Sequence, residues 1–242
     1  MSNQTQYCFK RYEKKYFITE QQYKILCNSL AEYTQPDKYG KYSINNIYYD
    51  TDDWRLIRAS IEKPIYKEKL RIRSYGTADD GSKIFAEIKK KYDGIVYKRR
   101  IETDINSVEP FLNCLLDENT YGQIGREIYM FQKTYKAKPK IFISYDRTAL
   151  VGTADTGLRI TFDTNMRWRD TDLDLTYGAF GKPITDDGKI LMEVKFDGAC
   201  PLYLSKILSQ NEIFPVSFSK YGTCYTKYIL KNNFYKEALY SA

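Results

Sequence analysis

KEKLRIRSY, residues Lys67–Tyr75, decides the fold. Side chains on a β-strand point to alternate faces, so every second residue shares a side. Lys67, Lys69, Arg71 and Arg73 therefore stand on one face, and Leu70 and Ile72 on the other. The pattern recurs outward from this stretch. FAEIKKKY sets Glu87 and Lys89 opposite Ala86 and Ile88, and VYKRRIETD groups Lys98, Arg100, Glu102 and Asp104. RYEKKYFI aligns Arg11, Glu13 and Lys15; YDRTAL aligns Tyr145 with Arg147. LRITFD aligns Arg159, Thr161 and Asp163, and LMEVKF aligns Glu193 with Lys195.

Any one of these faces is compatible with a solvated outer surface. Together they argue otherwise. Lys69, Arg71 and Arg73 follow one another with no carboxylate between them, and the opposite faces are only modestly apolar, which would leave a one-sided core thin. Two like charges about 7 Å apart repel by roughly 2.4 kcal/mol at an effective dielectric of ~20. A barrel interior so lined is tolerable only with water, inward Glu residues or a bound polyanion. The ligand it implies is narrow and carries several negative charges in a row: a nucleoside triphosphate or an inorganic polyphosphate.

Flanking patterns supply the architecture. Strands are expected at Cys8–Phe17, Tyr42–Tyr49, Tyr66–Tyr75, Lys83–Lys91, Val96–Thr103, Lys140–Leu150, Leu158–Asp163 and Ile190–Phe196. Turns fall at Asp50–Asp53, at GTADDGS and at Lys91–Gly94. Thr19 is placed to cap a helix carrying Tyr23, Leu26, Cys27 and Leu30 on one face. Further helices are expected at Trp54–Ser60, at Glu109–Leu116 behind a Ser107 cap, and at Tyr121–Tyr135, Pro201–Gln210 and Tyr221–Phe234. This is an α+β chain dominated by antiparallel sheet, with enough strands to close an eight-stranded barrel around one small ligand. No Pro/Gly/Ser-rich linker interrupts it, so residues 1–242 read as a single domain.

Composition excludes several chemistries. The chain has no histidine, which removes His-based acid–base and nucleophilic catalysis and His-ligated metals. Cys8, Cys27, Cys114, Cys200 and Cys224 are scattered, without a CxxC pair, and read as reduced thiols of a cytoplasmic protein. A metal would be held by carboxylates, which favours Mg²⁺ or Mn²⁺. Neither a secretory leader nor a membrane-spanning apolar run is visible. The net charge of +7 calls for anionic partners. Nucleic acid is not the expected one, since the basic residues alternate on strands instead of forming a stripe with stacking platforms. The acidic stretches at Asp79–Asp80, Asp170–Asp174 and Asp186–Asp187 lack calcium-loop spacing and read as hairpin tips.

In order along the chain, RYEKKYFI, YYDT, KLRIRSYG, FAEIKKK, YDRTAL, LRITFDT, LMEVKF and FSKYG resemble the vacuolar transporter chaperone (VTC) domain. The resemblance runs from about Phe9 to about Gly222. It implies the triphosphate-tunnel fold, an eight-stranded antiparallel barrel with peripheral helices, and a polyphosphate polymerase that takes the γ-phosphate of ATP with Mn²⁺ or Mg²⁺. It assigns Arg71, Arg73, Lys89, Arg147 and Arg159 to catalysis. Lys15, Lys98, Tyr145, Ser219 and Lys220 fall to phosphate binding, with Lys69, Arg100 and Lys195 beside them on the same faces. Glu193 matches the metal-binding glutamate, with Glu87 and Glu13 as further candidate ligands.

Two positions depart from the pattern. The superfamily's E-x-E-x-K signature reads Arg11-x-Glu13-x-Lys15 here, which replaces one metal-binding Glu and shifts the expectation from hydrolase to polymerase. Ser217 stands where a basic residue sometimes precedes the Ser-Lys pair. A triphosphate hydrolase of the same fold and a non-catalytic polyphosphate-binding module remain the competing readings.

Overall fold

The computed structural model describes residues 11–93, 95–185 and 188–230. The expected strand start at Cys8, the Gly94 turn, the Asp186–Asp187 tip and the helix end at Phe234 lie outside the described residues.

The chain runs β1 (Arg11–Ile18), α1 (Glu20–Leu30), β2 (Thr34–Pro36), β3 (Tyr42–Asp50), α2 (Arg55–Ile61), β4 (Tyr66–Tyr75), β5 (Ile84–Tyr92) and β6 (Ile95–Thr103). It continues with α3 (Ile105–Leu112), α4 (Gly122–Tyr135), β7 (Lys138–Gly152), β8 (Arg159–Arg169), a 3-10 turn at Leu175–Tyr177, β9 (Lys182–Pro183) and β10 (Ile190–Asp197). Helices α5 (Leu202–Gln210) and α6 (Lys220–Cys224) follow, the last passing into a π-helical turn at Tyr225–Ile229. No helix among the described residues is long and apolar enough to cross a membrane.

All ladders are antiparallel, in the order β1-β10-β8-β7-β3-β4-β5-β6, with β2 added to β7 and β9 to β8. The sheet curls, because Lys89 on β5 lies in the field of Glu13 and Lys15 on β1 at the other end of this order. It does not close. Among the described residues no ladder joins β6 to β1, so the expected barrel is an open-sided trough. The free edge of β1 is instead met by the Val216 amide, which donates to the Lys15 carbonyl at 2.7 Å.

Helices supply the half of the core that the strands alone leave thin. Leu70, Ile72, Ala86, Ile88 and Ile101 are buried against Val108, Phe111, Leu112, Ile128 and Phe131 of α3 and α4. Ile160, Phe162, Met192, Val194, Tyr16 and Ile18 are buried against Leu26 and Leu30 of α1 and Leu204 and Leu208 of α5. The apolar core therefore lies outside the curl, and the charged faces lie inside it. At β3, β7 and β8 a third cluster, with Tyr221, Cys224, Tyr225 and Ile229 against Ile44, Ile143 and Tyr145, seats α6 on the inner face.

Local chemistry explains the boundaries. Thr19 and Gln22 form a reciprocal capping box at 3.1 and 3.0 Å and start α1. The cap of α3 is Asp104, not Ser107. Its Oδ1 accepts from Asn106 and Ser107 amides at 2.9 Å each, which starts the helix early and removes Asp104 from the β6 face. The helix ends before Leu116 because Cys114 turns left-handed at φ 58°. Strand β8 continues beyond Asp163 because Asn165, at φ 50°, absorbs a bulge and donates to Asp146 at 2.8 Å.

Candidate polyanion-binding site

The ladders test the alternation directly, since antiparallel partners share a face. One row runs Glu13, Lys195, Arg159; the next runs Lys15, Glu193, Thr161. Leu191, Asp163, Arg147 and Tyr42 make a third. On the far side, Asn46, Arg73 and Phe85 are in register, then Tyr48, Arg71, Glu87 and Arg100, then Lys69, Lys89 and Lys98. Strand register thus gathers nearly all the singled-out residues on the inner face, and Lys220 reaches it from α6.

Around Glu193 the carboxylate is a hub of loosely held cations. Lys15 is 3.5 Å away, Arg147 3.6 Å, and Lys195 and Lys220 3.9 Å each. Glu13 sits beside it, 3.6 Å from Lys15 and 3.7 Å from Lys195. Burial works to raise the Glu193 carboxyl, but Lys220, Lys15, Lys195 and Arg147 hold it well below the usual carboxylate range. Deeper lies Asp163, fully buried, which takes Arg147 Nε and Nη2 at 2.6 and 2.8 Å and Lys220 Nζ at 2.5 Å. Burial alone would discharge Lys220; Asp163 and Glu193 raise it instead and keep it an ammonium.

A second centre surrounds Glu87. Arg71 meets Glu87 Oε2 through Nε and Nη2 at 2.8 and 2.7 Å, Lys98 meets Oε1 at 2.9 Å, and Arg73 stands at 3.8 Å. Arg71 also donates to the Tyr48 hydroxyl at 2.9 Å and Arg73 to Asn46 Oδ1 at 2.9 Å. Tyr145 bridges the two centres. Its hydroxyl accepts from Arg73 at 3.5 Å, while Arg147 and Lys220 lie 5.1 and 4.3 Å from its ring centroid. Burial pushes the phenol up, and Arg73, Arg147 and Lys220 reverse this and leave it lowered.

Lys69 and Lys89 are in register on adjacent strands with no carboxylate at ion-pair distance among the described residues. Lys69 is pushed down to about 7 by burial and then by Lys89. Lys98 is likewise down to about 7, through burial opposed by Glu87. Lys89 is lowered too, by burial first, so these three lysines hold their protons less firmly than free ones.

The remaining singled-out groups have other commitments. Arg100 stacks over Phe85 at 4.5 Å, and Arg159 pairs with Asp37 at 2.7 Å. The Ser219 hydroxyl accepts from the Gly222 amide at 3.1 Å and caps α6. Sequence reasoning passed over the partners that aim the cations: Asp163, Asp37, Asn46 and Tyr48. Asp163 was within reach, because alternation already placed it beside Arg159.

A divalent ion fits Glu193 and Glu13 better than Glu87, whose oxygens are already taken. Among the described residues no ion-pair partner comes closer than 3.5 Å to Glu193, so its oxygens keep coordination capacity. Glu87 is engaged by guanidinium and ammonium at 2.7–2.9 Å. Among the described residues, no three acidic or sulfur side chains gather into a metal cage. The arrangement therefore suits an ion held by one or two carboxylates, its other positions filled by phosphate oxygens.

An open antiparallel trough, walled by outer helices and lined with cations, is the triphosphate-tunnel architecture. A candidate adenylate cyclase from Bacillus halodurans superposes with a TM-score of 0.53 at 14% identity, over 86% of this chain and 92% of that one. A candidate adenylyl cyclase from Hippeastrum with a dominant triphosphatase activity gives 0.48 at 16% identity, over 86% of this chain and 92% of that one. The VTC-domain family model matches residues 10–229, and the chain belongs to that family. It is 22% identical over 200 residues to the vacuolar transporter chaperone complex subunit 4 of Schizosaccharomyces pombe. The match takes in 68% of this chain but only 27% of that protein, so the chain spans about a quarter of its relative's length.

Proposed function

We propose that this chain lengthens inorganic polyphosphate by transferring the terminal phosphoryl group of ATP, with Mn²⁺ or Mg²⁺ as cofactor. One observation carries the reading: two carboxylate-centred cation clusters, at Glu193 and Glu87, face one trough with Tyr145 between them. Phosphoryl transfer asks for in-line positioning and positive charge on the equatorial oxygens, not for a histidine or a covalent nucleophile.

Arg71, Arg73, Arg147 and Arg159 clamp phosphate oxygens through their planar forks. Lys15, Lys89, Lys98 and Lys220 add point charges along the path, and Lys69 and Lys195 extend it. A terminal oxygen of the polyphosphate attacks the γ-phosphorus, the bond to the β–γ bridging oxygen breaks, and ADP leaves. The attacking oxygen is already anionic, so no strong base is required. Glu193, aided by Glu13, is the donor for a divalent ion, which neutralises phosphate charge when bound. Glu87 acts as a positioning group for Arg71 and Lys98. Free thiols at Cys27, Cys114, Cys200 and Cys224 suit a cytoplasmic setting, where ATP is abundant.

The test is incubation of the purified protein with ATP and Mn²⁺. Long-chain polyphosphate together with ADP is the expected product. ADP with free phosphate and no polymer would instead identify a hydrolase. No turnover would leave a binding module.

A further inference from the structure

Along β4 and β5 the inner face changes character from one end to the other. Lys69 and Lys89 lie at one end, Arg71 and Glu87 on the next rung, and Arg73 opposite Phe85 on the one after. Tyr75 and Phe85 occupy the other end, joined from β3 by Tyr42. The rings form a connected chain. Tyr75 packs edge-on to Phe85 at 5.7 Å, Tyr42 to Tyr75 at 5.9 Å, and Tyr39 to Tyr42 at 6.1 Å. Tyr39 is 63% exposed and Tyr75 46%, so these two rings are open to solvent, while Phe85 is buried.

Cations frame the patch. Arg100 lies 4.5 Å from the Phe85 centroid and Lys38 5.0 Å from that of Tyr39, while the Tyr42 hydroxyl feels Arg147 and Arg159. A polyphosphate chain has no planar face and gains nothing from such a surface. A nucleobase does, since stacking on aromatic rings is sequence-tolerant and strong. The spacing also suits a nucleotide. Tyr75 and Arg71 are separated along β4 by about 13 Å at 3.3 Å per residue, comparable with the reach from base to terminal phosphate in an extended nucleoside triphosphate.

We infer that the exposed rings of Tyr39 and Tyr75, held edge-on by Tyr42 and the buried Phe85, offer a nucleobase-stacking platform at this mouth of the trough. This rests on the nucleotide-using reading above and adds an orientation to it. The base sits at the Tyr75 end, the γ-phosphate points inward past Arg71, and the growing polymer lies towards Lys69 and Lys89. Because rings grip a base by its face and not its edge, purine triphosphates should bind better than pyrimidine ones, with little choice between adenine and guanine.

Calorimetric titration of ATP and of inorganic tripolyphosphate into the full chain tests this. In Tyr75→Ala, ATP affinity should fall about tenfold while tripolyphosphate affinity stays within about twofold, as loss of one stacking ring predicts. Tyr75→Phe should restore ATP binding, which separates stacking from a folding defect, and Tyr39→Ala should act in the same direction as Tyr75→Ala. Equal losses for both ligands, or none for either, would overturn the platform while leaving the polyanion site intact. A wild-type protein that binds tripolyphosphate as tightly as ATP and is indifferent to Tyr75→Ala would do the same. Binding of neither ligand would overturn both readings.

Discussion

Asp163 clasps Arg147 through both of its carboxylate oxygens, at 2.6 and 2.8 Å, on a ladder position where the two residues face each other. The clasp fixes the plane of the guanidinium before any ligand arrives. It also places a fully buried negative charge behind the cations that would grip phosphate.

Asp163→Asn should therefore destabilise the empty protein by about 3 kcal/mol, because Arg147 and Lys220 lose a buried counter-charge. A bound triphosphate would supply the missing charge. Tripolyphosphate should raise Tm more in the variant than in the wild type, which differential scanning fluorimetry would show.

Glu193→Gln separates metal use from anion binding. Metal-stimulated turnover should fall about 100-fold, the scale of losing a transition-state charge stabiliser. Tripolyphosphate binding without metal should hold or tighten, since a negative charge has left the cation hub. Full activity across a Mn²⁺ titration would refute the assignment.

The lysines near neutrality give two pH dependences of opposite sign. Lys69 and Lys98 are depressed to about 7 in the folded chain, whereas an unfolded lysine titrates near ~10.4. Between those values the unfolded chain binds more protons, so stability of the empty protein should rise with pH from about 7 to about 8.5. Triphosphate binding needs the ammonium forms, so its affinity should fall over the same range. Proton uptake on binding, read as a buffer-dependent calorimetric enthalpy at about pH 7.5, would confirm the linkage.

Asp50→Ala should cost about 3 kcal/mol, because buried donors lose their acceptor. The Asp50 carboxylate accepts from Leu56 and Ile57 amides at 2.9 Å each and from the Tyr221 hydroxyl at 2.7 Å. It ties the start of α2 and the seat of α6 to the end of β3. Chemical denaturation should show the loss.

The inner face was readable in the sequence because a strand repeats every second residue, so KEKLRIRSY announces its own sidedness. Pairing was not. Which strands become neighbours, and whether the last meets the first, depends on contacts far apart in the chain. The aiming groups were hidden for a different reason: Asn46, Tyr48 and Asp37 look like ordinary sheet or turn residues until the ladders set them beside Arg73, Arg71 and Arg159. The β8 bulge escaped notice because Thr164-Asn165 resembles a turn, and only pairing with β7 reveals that the strand goes on.

The unsealed seam between β6 and β1 has a mechanical consequence. A closed cylinder admits a long polymer only end-first, by threading. A wall whose margins are joined by no ladder among the described residues can spread without rupturing a strand ladder there, its hinge spread over the twist of the intervening strands. For the polyphosphate reading proposed above, a polymer longer than the trough would then enter and leave by the side as well as by its ends.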